Sequence, residues 1–193
     1  LLTQALHIMT HSDLMDSIPP TSLLQAAHDM TRAIGTVGTI GGQVVDIESE
    51  GKSVDAKTPE YIHVYNTGHL IQACVRGGAI LCQANSGQLD ALSTYGAHIG
   101  LAFQIVDDML DLTADESQLG KDVGSDLEKE KATYPALYGL EESKKKAEKL
   151  VEDGIGCLEI FNHRADPLRE IGKFFIERTS WKTYSANPKY NKI

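Results

Sequence analysis

Apolar residues recur at three- and four-residue steps along most of this chain, the spacing of amphipathic helices. Leu2, Ala5, Leu6 and Met9 predict a first helix over 1–16, which residues 17–20 break. Leu24, Ala27, Met30, Ile34 and Val37 predict one long helix over 21–50. Its second half, 37–46, is rich in glycine and β-branched residues and would suit a strand by local propensity. The helical period carries through, and no hairpin turn follows. A glycine inside a helix costs about 1 kcal/mol relative to alanine, so Gly35, Gly38 and Gly42 are expected where helices approach closely. After a polar linker over 51–57, Thr58 reads as an N-cap and Pro59 as the first helical residue. That helix runs to about residue 84, and Asn85, Ser86 and Gly87 form a turn.

The next helix, 88–112, would be about 37 Å long at 1.5 Å per residue. Its apolar stripe is Leu92, Tyr95, Ile99, Phe103, Val106 and Leu110. A polar connection over 113–131 leads to a short apolar helix over 133–139. A surface helix over 141–158 follows, with Glu141–Lys145 and Glu142–Lys146 spaced for ion pairs. Asp166 and Pro167 open a last helix to about 178, with Leu168, Ile171 and Phe175 facing inward. Residues 181–193 show no period. The pattern is all-α, with one domain over 1–180 and an irregular tail.

Composition narrows the class. The 193 residues are 41% hydrophobic and 23% charged, ordinary for a globular domain. No apolar run approaches the roughly 18 residues of a membrane span. The first residues lack the basic start and cleavage-like end of a signal peptide. They read as the middle of a helix, which suggests an upstream part. The net charge of −9 argues against non-specific nucleic-acid binding. Cys74, Cys82 and Cys157 are odd in number and widely spaced, which suits buried free thiols in a reducing compartment.

The chemistry centres on residues 103–111, Phe-Gln-Ile-Val-Asp-Asp-Met-Leu-Asp. Asp107 and Asp111 fall one turn apart on one helix face, with Gln104 a turn earlier and Asp108 beside them. All four lie on the flank of the apolar stripe, where they would line a cleft edge. Carboxylates at i and i+4 repel by a few tenths of a kcal/mol, which a bound cation would relieve. Oxygen-only donors suit a hard ion such as Mg²⁺. A solvated acidic face explains the same residues, and the motif alone leaves both readings open. Downstream, Lys121 and Lys131 could grip a diphosphate opposite the metal. His63 and His69 read as surface or satisfied core residues, Arg76 as a salt-bridge partner, and Asp46 as part of a polar network with Gln43.

Together these segments resemble the trans-isoprenyl diphosphate synthases. Residues 103–111 are similar to that family's second aspartate-rich motif, FQ-x-x-DD-x-LD. Gly42-Gln43 with Asp46 resembles its GQ-x-x-D. His63 with Asn66-Thr67-Gly68 stands at its H-x-x-K-T-G/A stretch. Gly120-Lys121 through Asp126, then Lys131 with Thr133, resembles its GK-x-x-x-x-D and K-x-T segments. The resemblance implies antiparallel helices around an apolar cavity, usually in a homodimer. It implies that an allylic diphosphate condenses with isopentenyl diphosphate by ionisation, condensation and proton loss, giving a short-chain product of farnesyl or geranylgeranyl size. By position, Asp107, Asp108 and Asp111 would bind Mg²⁺, directly or through water. Lys121 would hold the allylic diphosphate with Lys131 nearby. Thr67 and Gln104 would stabilise the developing carbocation and orient the diphosphate. The compartment would be the cytoplasm, or the plastid stroma in a plant.

Two departures bear on function. The family's first aspartate-rich motif and its isopentenyl-diphosphate-binding basic residues have no counterpart here and are expected upstream. Asn66 replaces a diphosphate-binding lysine, a loss worth on the order of 2–4 kcal/mol in the transition state. Tyr134 and the Glu130-Lys131 pair are smaller departures. One alternative is therefore a family member or subunit that keeps the fold without the chemistry. Another is a class I terpene cyclase, which Asp111 disfavours because the cyclase second motif has a different pattern there. Incorporation of isopentenyl diphosphate separates the synthase from the cyclase.

Overall fold

A computed structural model describes residues 2–52, 55, 57–113 and 133–177 of the chain. All regular structure among them is helical. In chain order the helices are α1 (Leu2–Met9), α2 (Ser12–Met15), α3 (Pro20–Ile34), α4 (Thr39–Ser49) and α5 (Lys57–His63). A π-helical turn over Val64–Gly68 joins α5 to α6 (His69–Leu81). Then come α7 (Ser86–Thr113), α8 (Tyr134–Tyr138), α9 (Leu140–Gly156) and α10 (Asp166–Glu177). Short 3₁₀ turns over Cys157–Ile160 and His163–Ala165 connect the last two.

α7 is the axis. At 28 residues it is about 42 Å long. It begins two residues before the predicted start because Asn85 and Gln88 cap each other. The Gln88 amide donates to Asn85 Oδ1 at 3.0 Å, and the Asn85 amide to Gln88 Oε1 at 3.1 Å. α6 and α9 pack along α7, and α3 packs on the far side of α6. Tyr95, Ile99, Ala102, Ile105 and Val106 are buried there with Ala147, Leu150, Val151 and Leu158. Tyr95 also donates its hydroxyl to the Leu168 carbonyl at 2.6 Å, which ties α10 to α7.

Several expectations fail for identifiable reasons. The 1–16 helix is interrupted after Met9, and His11 caps a separate short α2. The 21–50 helix is two helices. Gly35 leaves α3 in extended backbone, and the chain turns so tightly that a side chain at Gly38 would meet the Ala33 carbonyl oxygen at 1.9 Å. Asp55 caps α5, taking hydrogen bonds from the amides of Lys57 and Thr58 and from the Thr58 hydroxyl. Thr58 is therefore inside the first turn. Lys145 pairs with Glu142 at 2.8 Å, one step closer than the predicted i,i+4 spacing. Ile171 is exposed, and Gly172 takes the inward position against Ile99 and Ile155. Cys74 and Cys82 are exposed and Cys157 is half-buried, all with free thiols. No described helix is long and apolar enough to cross a membrane.

Two close backbone approaches fix the centre of the molecule. A Cβ at Gly100 on α7 would lie 2.8 Å from the Gly68 Cα in the π turn, and a Cβ at Gly42 on α4 would lie 2.6 Å from the Asn66 amide nitrogen. Gly42 meets the close-approach expectation, whereas Gly35 and Gly38 serve the turn. Gly100→Ala should destabilise the protein by about 1–3 kcal/mol through overpacking, despite the better helix propensity of alanine. Gly78→Ala, with nothing within 4 Å of its added methyl, should be neutral or stabilising by up to about 1 kcal/mol. Urea unfolding of the two variants reads both signs.

Burial pushes the Tyr95 phenol up to about 12 from its ordinary 10.0. The unfolded chain then releases this proton first. Stability should be intact below pH 10 and fall by about 1.4 kcal/mol per pH unit on the way to 12. The slope of unfolding free energy against pH should be shallower in Tyr95→Phe over that window.

Candidate active site

The acidic turn sits near the C-terminal end of α7. Asp108 and Asp111 are 5% and 2% exposed, whereas Gln104 and Asp107 are half-buried. The flank predicted to line an open cleft edge is thus covered at two of its three carboxylates. Part of the cover comes from α5 and α8.

A buried carboxylate must be paired, and Asp108 has two partners. His63 Nε2 lies 3.1 Å from Asp108 Oδ2, and the Tyr134 amide donates to the same oxygen at 3.0 Å. Tyr134 is the first residue of α8, with Thr133 as its cap and Pro135 in its first turn. Its N–H has no intrahelical acceptor and is available to a carboxylate. The Tyr134 hydroxyl reaches back to Glu60 Oε2 at 3.2 Å, and its ring stacks on the His63 imidazole at 5.5 Å. Glu60 and His63 are three apart on α5, one face of that helix. A closed polar ring therefore joins α5, α7 and α8. Burial, with the Glu60 carboxylate next, raises the Tyr134 pKa well above the ordinary phenol range, so the hydroxyl stays a donor.

The contacts Gly68–Gly100 and His63–Asp108 set the π turn antiparallel to α7. Asn66 and Thr67 fall between those two contacts, alongside the stretch of α7 between Gly100 and Asp108. The π turn adds a residue to its helical turn, a feature common at functional positions. Of the predicted site residues, Gln104, Asp107, Asp108 and Asp111 lie on α7, and Asn66 and Thr67 lie in the π turn packed against it. Lys121 and Lys131 lie outside the described residues, as do Gly120 and Asp126. Asp107 and Asp111 fall one turn apart on α7. Among the described residues no three His, Cys, Asp or Glu side chains form a ready metal cage. Arg76 is paired with Asp29 at 3.0 Å and with the Ser93 hydroxyl, as its sequence context suggested.

The family model for polyprenyl synthetase matches residues 1–164. The chain belongs to the polyprenyl synthetase family. It is 44% identical over 163 residues to the dimethylallyltranstransferase of Fischerella ambigua (strain UTEX 1903), covering 84% of this chain and 47% of that one. It is 39% identical over 165 residues to the geranylgeranyl diphosphate synthase of Cyanophora paradoxa, covering 85% and 55%. The apo structure of an FPP/GFPP synthase from Zymomonas mobilis superposes with a TM-score of 0.77 at 31% identity, over 90% of this chain and 57% of that one. The chain spans about half the length of the curated relatives it matches. The all-α architecture is that of this polyprenyl synthetase family.

Sequence reasoning read His63 as a surface or satisfied core residue and Tyr134 as a small departure from the family, and gave Glu60 no role; His63 is buried. Two signals were present. His63 opens the H-x-x-N-T-G stretch, and Thr133 followed by Pro135 marks a helix start whose free amides seek an acceptor. Asp108→Ala would leave the His63 and Tyr134 donors buried without an acceptor and should cost about 2–4 kcal/mol. Asp90→Ala, at an exposed position on the same helix, should stay within about 0.5 kcal/mol. Chemical denaturation of the two proteins measures the difference.

Proposed function

We propose that this polyprenyl synthetase chain carries part of the active site of a Mg²⁺-dependent short-chain prenyltransferase. In this reading one helical unit over 1–180 works in a homodimer, in the cytoplasm or a plastid stroma. It joins an allylic diphosphate to isopentenyl diphosphate. The observation that carries the reading is the pairing of the π turn with α7: Gly68 against Gly100 and His63 against Asp108 set the H-x-x-N-T-G stretch alongside the helix that bears the acidic turn. The named activities of the relatives, dimethylallyltranstransferase and geranylgeranyl diphosphate synthase, supply the reaction class and a product of about farnesyl to geranylgeranyl size.

The donor set fits the ion. Mg²⁺ takes only one or two protein carboxylates and fills its shell with water and phosphate oxygens. Asp107 and Asp111 offer oxygens one turn apart, and Asp108 flanks them with one oxygen already committed to the protein. When bound, the metal neutralises negative charge on the departing diphosphate. Thr67 and Gln104 donate hydrogen bonds to the diphosphate and orient it so that the allylic C–O bond breaks toward the second substrate. Their oxygens face the allylic carbons as positive charge grows there. Lys121 and Lys131 add cationic donors to the leaving group, where an ammonium is worth more than a neutral donor. Asn66 gives the same diphosphate an amide donor without charge.

Asn66 also favours a second reading, a family member that has given up catalysis. Both readings are tested with full-length protein, labelled isopentenyl diphosphate and each of dimethylallyl, geranyl and farnesyl diphosphate. The synthase reading expects label in a C15–C20 product only when Mg²⁺ is present, and a loss of at least about 100-fold in Asp107→Ala. Asn66→Lys should raise kcat/KM by about tenfold or more. A wild type that transfers nothing, with activity appearing in Asn66→Lys, supports the second reading. Ionisation of an allylic diphosphate without incorporation of isopentenyl diphosphate would point to a cyclase.

A further inference from the structure

The polar ring of α5, α7 and α8 does more than satisfy a buried acid. We infer that His63 is a positioning residue for the metal–diphosphate site, acting through Asp108. This rests on the synthase reading above.

The argument begins with three neighbouring carboxylates that are not equivalent. Asp108 Oδ2 receives His63 Nε2 at 3.1 Å and the Tyr134 amide at 3.0 Å. A buried oxygen that takes a hydrogen bond from the Tyr134 amide and has the His63 imidazole nitrogen 3.1 Å away cannot move to a cation without giving up both contacts. Asp108 therefore anchors the acidic turn on which Asp107 and Asp111 stand. The two donors come from different elements. The α8 amide is fixed by helix geometry, and the imidazole is held flat by its stack on the Tyr134 ring. Glu60 closes the ring by taking the Tyr134 hydroxyl at 3.2 Å. Rotation of α7 about its axis would break the Tyr134 hydrogen bond and the His63 contact at once, so the ring fixes the azimuth of the turn that carries Asp107 and Asp111. His63 is the one member that the π turn follows directly. It therefore also sets the start of the segment that presents Asn66 and Thr67. A single side chain thus couples the azimuth of the carboxylates to the placement of the diphosphate donors.

The test is binding of inorganic pyrophosphate to the full-length protein by titration calorimetry, with and without Mg²⁺. His63→Phe keeps a ring to stack on Tyr134 but donates nothing. It should weaken Mg²⁺-dependent binding at least tenfold and raise the Mg²⁺ concentration needed for half-binding. His63→Gln retains a donor and should recover affinity to within about threefold of wild type. Leu158→Ala, a core change in a residue that is 0% exposed, lowers stability without touching the ring and should leave affinity unchanged. If His63→Phe does not fold, His63→Asn, too short to reach Asp108, reads the same contrast. A wild type that binds pyrophosphate alongside a folded His63→Phe or His63→Asn that binds equally well would overturn the positioning role. Equal losses in His63→Phe and Leu158→Ala would overturn it too, reducing His63 to general stability. A wild type that binds no pyrophosphate with Mg²⁺ overturns the synthase reading itself.

Discussion

Backbone pressed on backbone governs this molecule. Gly100 on α7 lies against Gly68 of the π turn, and Gly42 on α4 lies against the Asn66 amide on the other side. Neither contact has room for a methyl group. The π turn is held between two helices at the closest spacing that a polypeptide allows. Everything that the proposed site needs follows from this placement. The antiparallel register sets Asn66 and Thr67 beside the stretch of α7 between Gly100 and Asp108. It also carries His63 to Asp108. Packing on α6, α9 and α10 then stiffens α7 from the remaining sides, so the acidic turn sits at the end of a buried, well-supported rod.

The second layer of organisation is electrostatic. Carboxylates in a row would repel and, where buried, would each demand a partner. The fold buries Asp108 and Asp111 and leaves Asp107 partly exposed. Asp108 is saturated at one oxygen by an imidazole and a helix-start amide. Asp107 stays half-buried one residue away. A metal site built this way does not need a cage of protein ligands, because diphosphate and water complete a Mg²⁺ shell. Fixed donors that do not reorganise during ionisation are the ones that lower a barrier, and the ring of Glu60, Tyr134, Asp108 and His63 is such a fixing device.

Much of the architecture was legible in the residues. The stripe through Tyr95, Ile99 and Val106 located α7, whose start at Ser86 falls inside the predicted 85–87 turn. Pro167 placed α10, and Pro135 fell in the first turn of α8. The failures share a cause. The break at Gly35–Gly38 and the exposure of Ile171 depend on what lies opposite, which periodicity along one chain does not contain. The same holds for Cys74 and Cys82, whose helix is apolar in pattern but leaves them outward. The candidate site was readable only in part. Residue spacing grouped Gln104 with the aspartates, and the family resemblance added Asn66 and Thr67. The π turn has no periodic signature, so the register that brings the two groups together was invisible. The role of His63 was hidden for the same reason: its partner is 45 positions away and meets it only after the chain reverses.

The account stands or falls on how the three carboxylates are divided. Crystals of the full-length protein grown with Mn²⁺ and pyrophosphate, with the metal located by anomalous scattering, test this directly. The prediction is a metal peak bonded to a carboxylate oxygen of Asp107, with Asp108 still held by His63 and the Tyr134 amide. A metal bonded to Asp108 with its His63 contact broken, or no metal on the acidic turn of α7, would contradict it.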